Sequence, residues 1–132
     1  MNSLTLKPDI KELITINNSI YNVTNKKDVK LDLIIEELFV NIVYYSGTDF
    51  IRANFEFDES NSKLNFEFID NGIKFNPLEQ EEPEPISNIE NISIGGRGIT
   101  LIKKCVDNIS YNYINDENHL KFTKFLKNVK QD

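Results

Sequence analysis

One cysteine, Cys105, is all that this chain of 132 residues contains. A single cysteine excludes an intramolecular disulfide and suits a reducing compartment. No stretch approaches the ~18 apolar residues of a transmembrane helix. The N-terminus also lacks a basic region followed by an apolar one, which a signal peptide would need. These absences predict a soluble, cytoplasmic protein.

Positive charge is scarce, because 15 lysines and arginines stand against 21 acidic residues and give a formal net charge of -6. This balance argues against direct binding to nucleic acid or to an anionic membrane. The sequence also lacks internal repeats and a domain linker. We therefore expect one domain over residues 1–132, which is long enough to bury a hydrophobic core.

Hydrophobic periodicity predicts a short edge strand at residues 4–6 and then two helices. Asp9 can cap the first helix, and Asp28 can cap the second, which ends near Ser46 and Gly47. The residues at helical spacing in the first helix are Ile10, Leu13, Ile14, Asn17, Ile20 and Tyr21. Those in the second helix are Leu31, Ile34, Ile35, Leu38, Phe39 and Ile42.

From Phe50 onward the apolar period changes to two, which predicts a pair of half-buried antiparallel strands. Counting by two along the apolar row of the second strand, from Leu64, reaches the carboxylate of Asp70. A further helix follows Gly98, and a hairpin is expected at residues 109–114 and 120–125 with its turn at 115–117. This order predicts an α+β two-layer sandwich, with a mixed, mostly antiparallel sheet covered on one face by helices.

Glu37 and Asn41 are polar residues on the second helix, and their spacing makes them neighbours one turn apart. They lie on one flank of the apolar arc, where a carboxylate and an amide need partners to be desolvated. Local side chains could supply those partners, or the pair could belong to a site. Glu36 points to the other flank and is expected to face solvent or form a salt bridge.

Two glycine-bearing segments offer further polar chemistry. Asp70-Asn71-Gly72 is either a plain turn or a buried acceptor beside a glycine that lets a ligand approach the backbone. Gly95-Gly96-Arg97-Gly98 precedes a helix, where free N–H groups and the helix dipole favour an anion. It matches neither a Walker sequence nor GxGxxG. Arg97 could contact a phosphate or face solvent.

Taken in order, three segments resemble the N, G1 and G2 boxes of GHKL (Bergerat-fold) ATPases: EELFVNIVYYSG, FIDNGIKFNPLE and IGGRGITLIKK. The resemblance is closest to the anti-sigma regulatory factors that act as serine/threonine protein kinases. It covers essentially the whole chain and implies the Bergerat ATP-binding fold, with ATP and Mg²⁺ as ligands.

The resemblance also implies roles for individual residues. Asn41 corresponds to the Mg²⁺ ligand, Glu37 to the general base and Asp70 to the aspartate that reads adenine. Residues 76–97 correspond approximately to the ATP lid. The other nucleotide-binding positions are Gly72, Phe75, Gly95, Gly96, Arg97, Gly98 and Ile99.

The sequence departs from the family pattern in three regions. Tyr45 stands where histidine is common, and Arg97 stands where leucine is frequent. Asn118 and His119 lie where the closing strand usually supplies a threonine near adenine. His119 is the only histidine, and we expect it to be a hairpin residue rather than a catalyst.

The implied function is phosphorylation of an anti-anti-sigma (STAS-domain) partner, combined with sequestration of a sigma factor. A homodimer is compatible with this function. The alternative is a module whose nucleotide sets its conformation for partner binding without phosphotransfer. A sensor-kinase catalytic domain is disfavoured, because this chain has no helix bearing a phospho-accepting histidine.

Overall fold

The computed structural model describes residues 1–79 and 98–126. Three helices, α1 (Leu13–Thr24), α2 (Val29–Tyr45) and α3 (Gly98–Cys105), accompany five strands. The strands are β1 (Asn2–Leu6), β2 (Ile51–Asp58), β3 (Lys63–Asp70), β4 (Asn108–Ile114) and β5 (Glu117–Phe125). The predicted α+β fold is confirmed, and it is consistent with the fold of a GHKL-like ATPase.

The sheet has the order β1-β2-β3-β5-β4, and each neighbouring pair is antiparallel. The expectation of a mixed sheet is therefore wrong for the described strands. Short connections explain two of the four pairs, since β2 and β3 form one hairpin and β4 and β5 another, and a hairpin joins antiparallel strands. Strand β1 is an edge strand, as predicted.

A row of phenylalanines crosses the centre of the sheet on its helix-covered face. Phe66 lies opposite Phe55 on one side and Phe122 on the other. The ring centroids are 5.6 and 5.3 Å apart, and all three side chains are buried. Such cross-strand aromatic pairs stabilise both the register and the packing. The period-two pattern thus identified the correct face of β2 and β3.

The buried face of helix α1 agrees only in part with the one expected. Ile20 is buried as predicted, but Ile16 is fully buried whereas Ile14 is 70% exposed. The start of the helix also differs: Asp9 caps a short 3₁₀ turn at Ile10–Glu12, and α1 begins only at Leu13. Contacts of the helix with the rest of the fold, rather than the spacing of its apolar residues alone, therefore decide which of them are buried.

The β4–β5 hairpin is tighter than expected. Asn115 and Asp116 form its turn with positive φ angles of 52° and 62°, and Glu117 already belongs to β5. A two-residue turn of this kind matches the twist of the flanking strands. The early start of β5 brings Asn118 opposite Asp70 of β3.

The end of β3 is fastened to the end of α2. The Ile73 N–H donates to the Ser46 carbonyl oxygen at 2.8 Å. A Cβ added at Gly72 would lie 2.2 Å from that same oxygen, which is closer than any real contact. Glycine is therefore needed here for close packing of the helix terminus on the strand.

Gly72→Ala is expected to lower the free energy of unfolding by ~1–3 kcal/mol, because backbone atoms must shift to relieve the contact. Gly47→Ala is the comparison: an added Cβ there meets nothing within 4 Å, so this variant reports only the backbone strain that a φ of +65° places on an L side chain. Urea denaturation measures both variants. No measurable destabilisation of Gly72→Ala would mean that close packing is not what position 72 requires.

Candidate functional site

Asn41 projects from the buried side of α2 and is 1% exposed. Neither its Oδ1 nor its Nδ2 has a hydrogen-bond partner in the described part of the chain. Buried side-chain polar atoms nearly always have a partner, and leaving an amide without one costs ~1–3 kcal/mol. The local side chains that could have satisfied Asn41 do not do so. Because it also lies beside a cleft, this amide is a candidate ligand-binding group.

Asp70 ends β3 on the same side of the sheet and is 3% exposed. Its Oδ1 accepts from the Gly72 N–H at 2.9 Å and from Asn118 Nδ2 at 3.0 Å. Burial raises the pKa of the carboxyl, while hydrogen bonds from Asn118, Gly72 and Ser46 oppose that rise. The predicted inward orientation of Asp70 is confirmed.

Asn41 and Asp70 line one cleft between α2 and the sheet. Within it there is room for about one water molecule. A purine ring is larger, so one wall must move to admit it. The complete lining is Leu38, Asn41, Ile42, Ser46, Asp70, Phe75, Pro77, Tyr111, Asn118 and Leu120.

Phe75 and Gly72 belong to the segment that leaves β3. Phe75 lines the cleft, and its ring lies 6.0 Å from that of Tyr45 at the end of α2. Gly72 packs against Ser46 instead, as described above. The structure thus gives Gly72 a packing role in addition to the ligand contact expected from the sequence.

Glu37 lies one turn before Asn41 on α2 and is half-buried, while Glu36 is exposed. The expected difference between the two carboxylates is therefore confirmed. Burial, followed by the neighbouring charge of Glu36, raises the pKa of Glu37. A carboxylate with a raised pKa is a stronger base than an ordinary one.

The glycine segment is only partly described. Gly95, Gly96 and Arg97 lie outside the described residues, as does most of the expected lid at 76–97. Gly98 is the first residue of α3. The Ile99 side chain is 2% exposed and belongs to the hydrophobic core. Any contact of Ile99 with a phosphate would therefore involve its backbone N–H.

Sequence reasoning gave no role to Ser46, Tyr111 or Asn118, although all three line the cleft. A signal for Asn118 was present. Counting back by two along β5 from the buried Phe122 and Leu120 reaches Asn118, just as the same count along β3 reaches Asp70. The neighbouring strands β3 and β5 thus each place a polar residue, Asp70 and Asn118, in the cleft.

Comparison with protein-family models finds a match to the histidine kinase-like ATPase domain over residues 10–124. The chain belongs to this family. Membership in the histidine kinase-like ATPase family indicates ATP as the ligand, which agrees with a cleft lined by an amide and a carboxylate. A search of curated proteins finds no match. Within residues 1–79 and 98–126, no helix is both long and apolar enough to cross a membrane.

The family typically binds ATP with Mg²⁺, and the residues present fit that ion. The Asn41 Oδ1 is a hard oxygen donor with no partner among the described residues. In the same part of the chain, no group of three or more His, Cys, Asp or Glu residues is arranged to hold a metal. Mg²⁺ is commonly held by one or two side chains together with phosphates and water, so a single protein oxygen suits it.

Asn41→Leu is expected to raise the free energy of unfolding by ~1–3 kcal/mol, because it replaces two orphaned polar atoms with apolar ones of similar size. Asn118→Leu is the matched control, since that buried asparagine has its polar atoms paired and should be destabilised instead. Urea denaturation without nucleotide measures both. A less stable Asn41→Leu protein would show that Asn41 already has a stabilising role in the fold.

Proposed function

We propose that this protein is an ATP-dependent serine/threonine protein kinase of the anti-sigma regulatory type. It phosphorylates a STAS-domain anti-anti-sigma partner and sequesters a sigma factor. The observation that carries the proposal is the orphaned amide of Asn41 in the cleft that Asp70 also lines. Family membership supports ATP as the ligand, and the resemblance of the three motifs supports the subtype.

Each polar residue then has one task. Asp70 would accept a hydrogen bond from the amino group of adenine, and Asn41 would hold Mg²⁺ through Oδ1. Glu37 would accept the proton of the incoming serine hydroxyl and orient its oxygen. ATP would supply the γ-phosphoryl group to that oxygen and leave as ADP, while Mg²⁺ would neutralise charge on the phosphates. Phosphoryl transfer depends mainly on such positioning and electrostatic stabilisation.

A nucleotide-gated binding module without phosphotransfer is the second candidate. One observation favours it: Glu37 is not among the residues that line the cleft. A carboxylate outside the cleft acts as a base only if the partner brings its hydroxyl to it. In a binding module the nucleotide would set the position of the cleft wall, and the partner would be held without chemistry.

Mg²⁺-ATP is expected to raise the melting temperature, since a ligand at ~100 times its Kd adds ~2.7 kcal/mol to stability. Asp70→Asn replaces an acceptor with donors, so ATP affinity should fall roughly ten- to hundred-fold. Asp116→Asn, in the exposed β4–β5 turn, is the control. Calorimetric titration measures all three proteins. Absence of heat and of a thermal shift with wild type at millimolar Mg²⁺-ATP would refute ATP binding.

Glu37→Gln separates the two candidates, because it keeps the shape of the side chain but removes its basicity. Phosphotransfer to a cognate STAS-domain protein should fall by ~10²–10⁴-fold, with nucleotide affinity little changed. The control Glu36→Gln, on the exposed flank, should stay near wild type. Single-turnover transfer of labelled phosphate at saturating Mg²⁺-ATP is the assay. Wild type that binds its partners but transfers no phosphate would favour the binding module.

A further inference from the structure

Asn118 connects four parts of the cleft through its side-chain amide. Its Nδ2 donates to Asp70 Oδ1 at 3.0 Å and to the Ile73 carbonyl oxygen at 2.8 Å. Its Oδ1 accepts from the Phe75 N–H at 3.1 Å and from the hydroxyl of Tyr111. The residue is 4% exposed. One amide thus ties β3, β4 and the segment that follows β3 to the start of β5.

Every hydrogen-bonding position of this amide is occupied. A carboxamide has two donor hydrogens and two acceptor lone pairs, and all four are used within the protein. Asn118 therefore has no free donor or acceptor for a ligand, although it lines the cleft. It can affect a ligand only indirectly, through the residues to which it is hydrogen-bonded.

Asp70, by contrast, can still accept hydrogen bonds from a ligand. An ionised carboxylate accepts about four hydrogen bonds, and Asp70 receives two of them, from Asn118 and from the Gly72 N–H, both at Oδ1. Acceptor positions thus remain for a ligand, those of Oδ2 among them. The two contacts at Oδ1 fix the rotation of the carboxylate and therefore the direction of the remaining positions.

We propose that Asn118 is a positioning residue for base selectivity: it acts on the base by holding Asp70 as a fixed acceptor. The inference rests on the proposed ATP site. A fixed acceptor favours a purine with an amino group at C6, as in adenine. It disfavours the carbonyl of guanine, because two acceptors then face each other.

The first test measures binding of Mg²⁺-ATP and Mg²⁺-GTP by calorimetry to wild type and to Asn118→Ala. ATP affinity should fall about ten-fold, while the weak GTP affinity changes little. Asn112→Ala is the matched control, since Asn112 is exposed on β4. Equal losses for ATP and GTP would overturn the inference, because a merely structural role weakens both.

A double-mutant cycle tests whether Asn118 acts through Asp70. Adding Asn118→Ala to Asp70→Asn should weaken ATP binding by less than two-fold further, since the fixed acceptor has already been lost. Independent, multiplying losses would overturn the inference. Tyr111→Phe removes only one of the four bonds and should show the same selective loss in smaller degree. It serves as the test variant if Asn118→Ala does not fold.

Hydrogen–deuterium exchange without nucleotide gives a readout independent of ATP. In Asn118→Ala or Tyr111→Phe, the Phe75 amide should exchange faster because it loses or loosens its acceptor. The Gly72 amide should follow, although it donates to Asp70 and not to Asn118. Unchanged protection at both amides would overturn the inference. Wild type that binds neither nucleotide would refute the proposed function instead, and exchange would then decide the role of Asn118.

Discussion

The contact between the end of α2 and the end of β3 is the constraint on which the site depends. Ser46 receives the Ile73 N–H at 2.8 Å, and the missing side chain of Gly72 allows the two backbones to meet. Because helix and strand are fastened there, Asn41 on α2 and Asp70 on β3 line the same cleft. A wider junction would separate the two polar side chains on which nucleotide binding is proposed to depend.

The two buried asparagines of the cleft differ in whether their polar atoms have hydrogen-bond partners. Asn118 has a partner for every polar atom, whereas Asn41 has none in the described part of the chain. A paired amide stabilises and orients its neighbours, while an orphaned amide destabilises the fold unless a ligand supplies its hydrogen-bond partners. Proteins tolerate such local conflicts chiefly at functional sites. This contrast is the structural basis for proposing a positioning role for Asn118 and a ligand-binding role for Asn41.

The same logic extends to the carboxylates. Asp70 is buried but held by donors, so it suits a fixed recognition task. Glu37 is half-buried, and its pKa is raised by burial and by Glu36, which suits a proton acceptor. Its place outside the cleft lining makes its chemistry depend on how a partner docks. In the proposed function, recognition of the base and transfer of the phosphoryl group would therefore fall to different elements.

Local sequence patterns are enough to predict the α+β class, the buried faces of β2 and β3, the inward position of Asp70 and the half-buried position of Glu37. Each follows from the local period of a helix or strand, which a few neighbouring residues specify. Tertiary contacts settle four further features: the face of α1, the close packing of Gly72 on Ser46, the lack of partners for Asn41 among the described residues and the pairing of Asn118 with Asp70. These depend on strand register and on contacts between segments far apart in the chain, so no local pattern contains them.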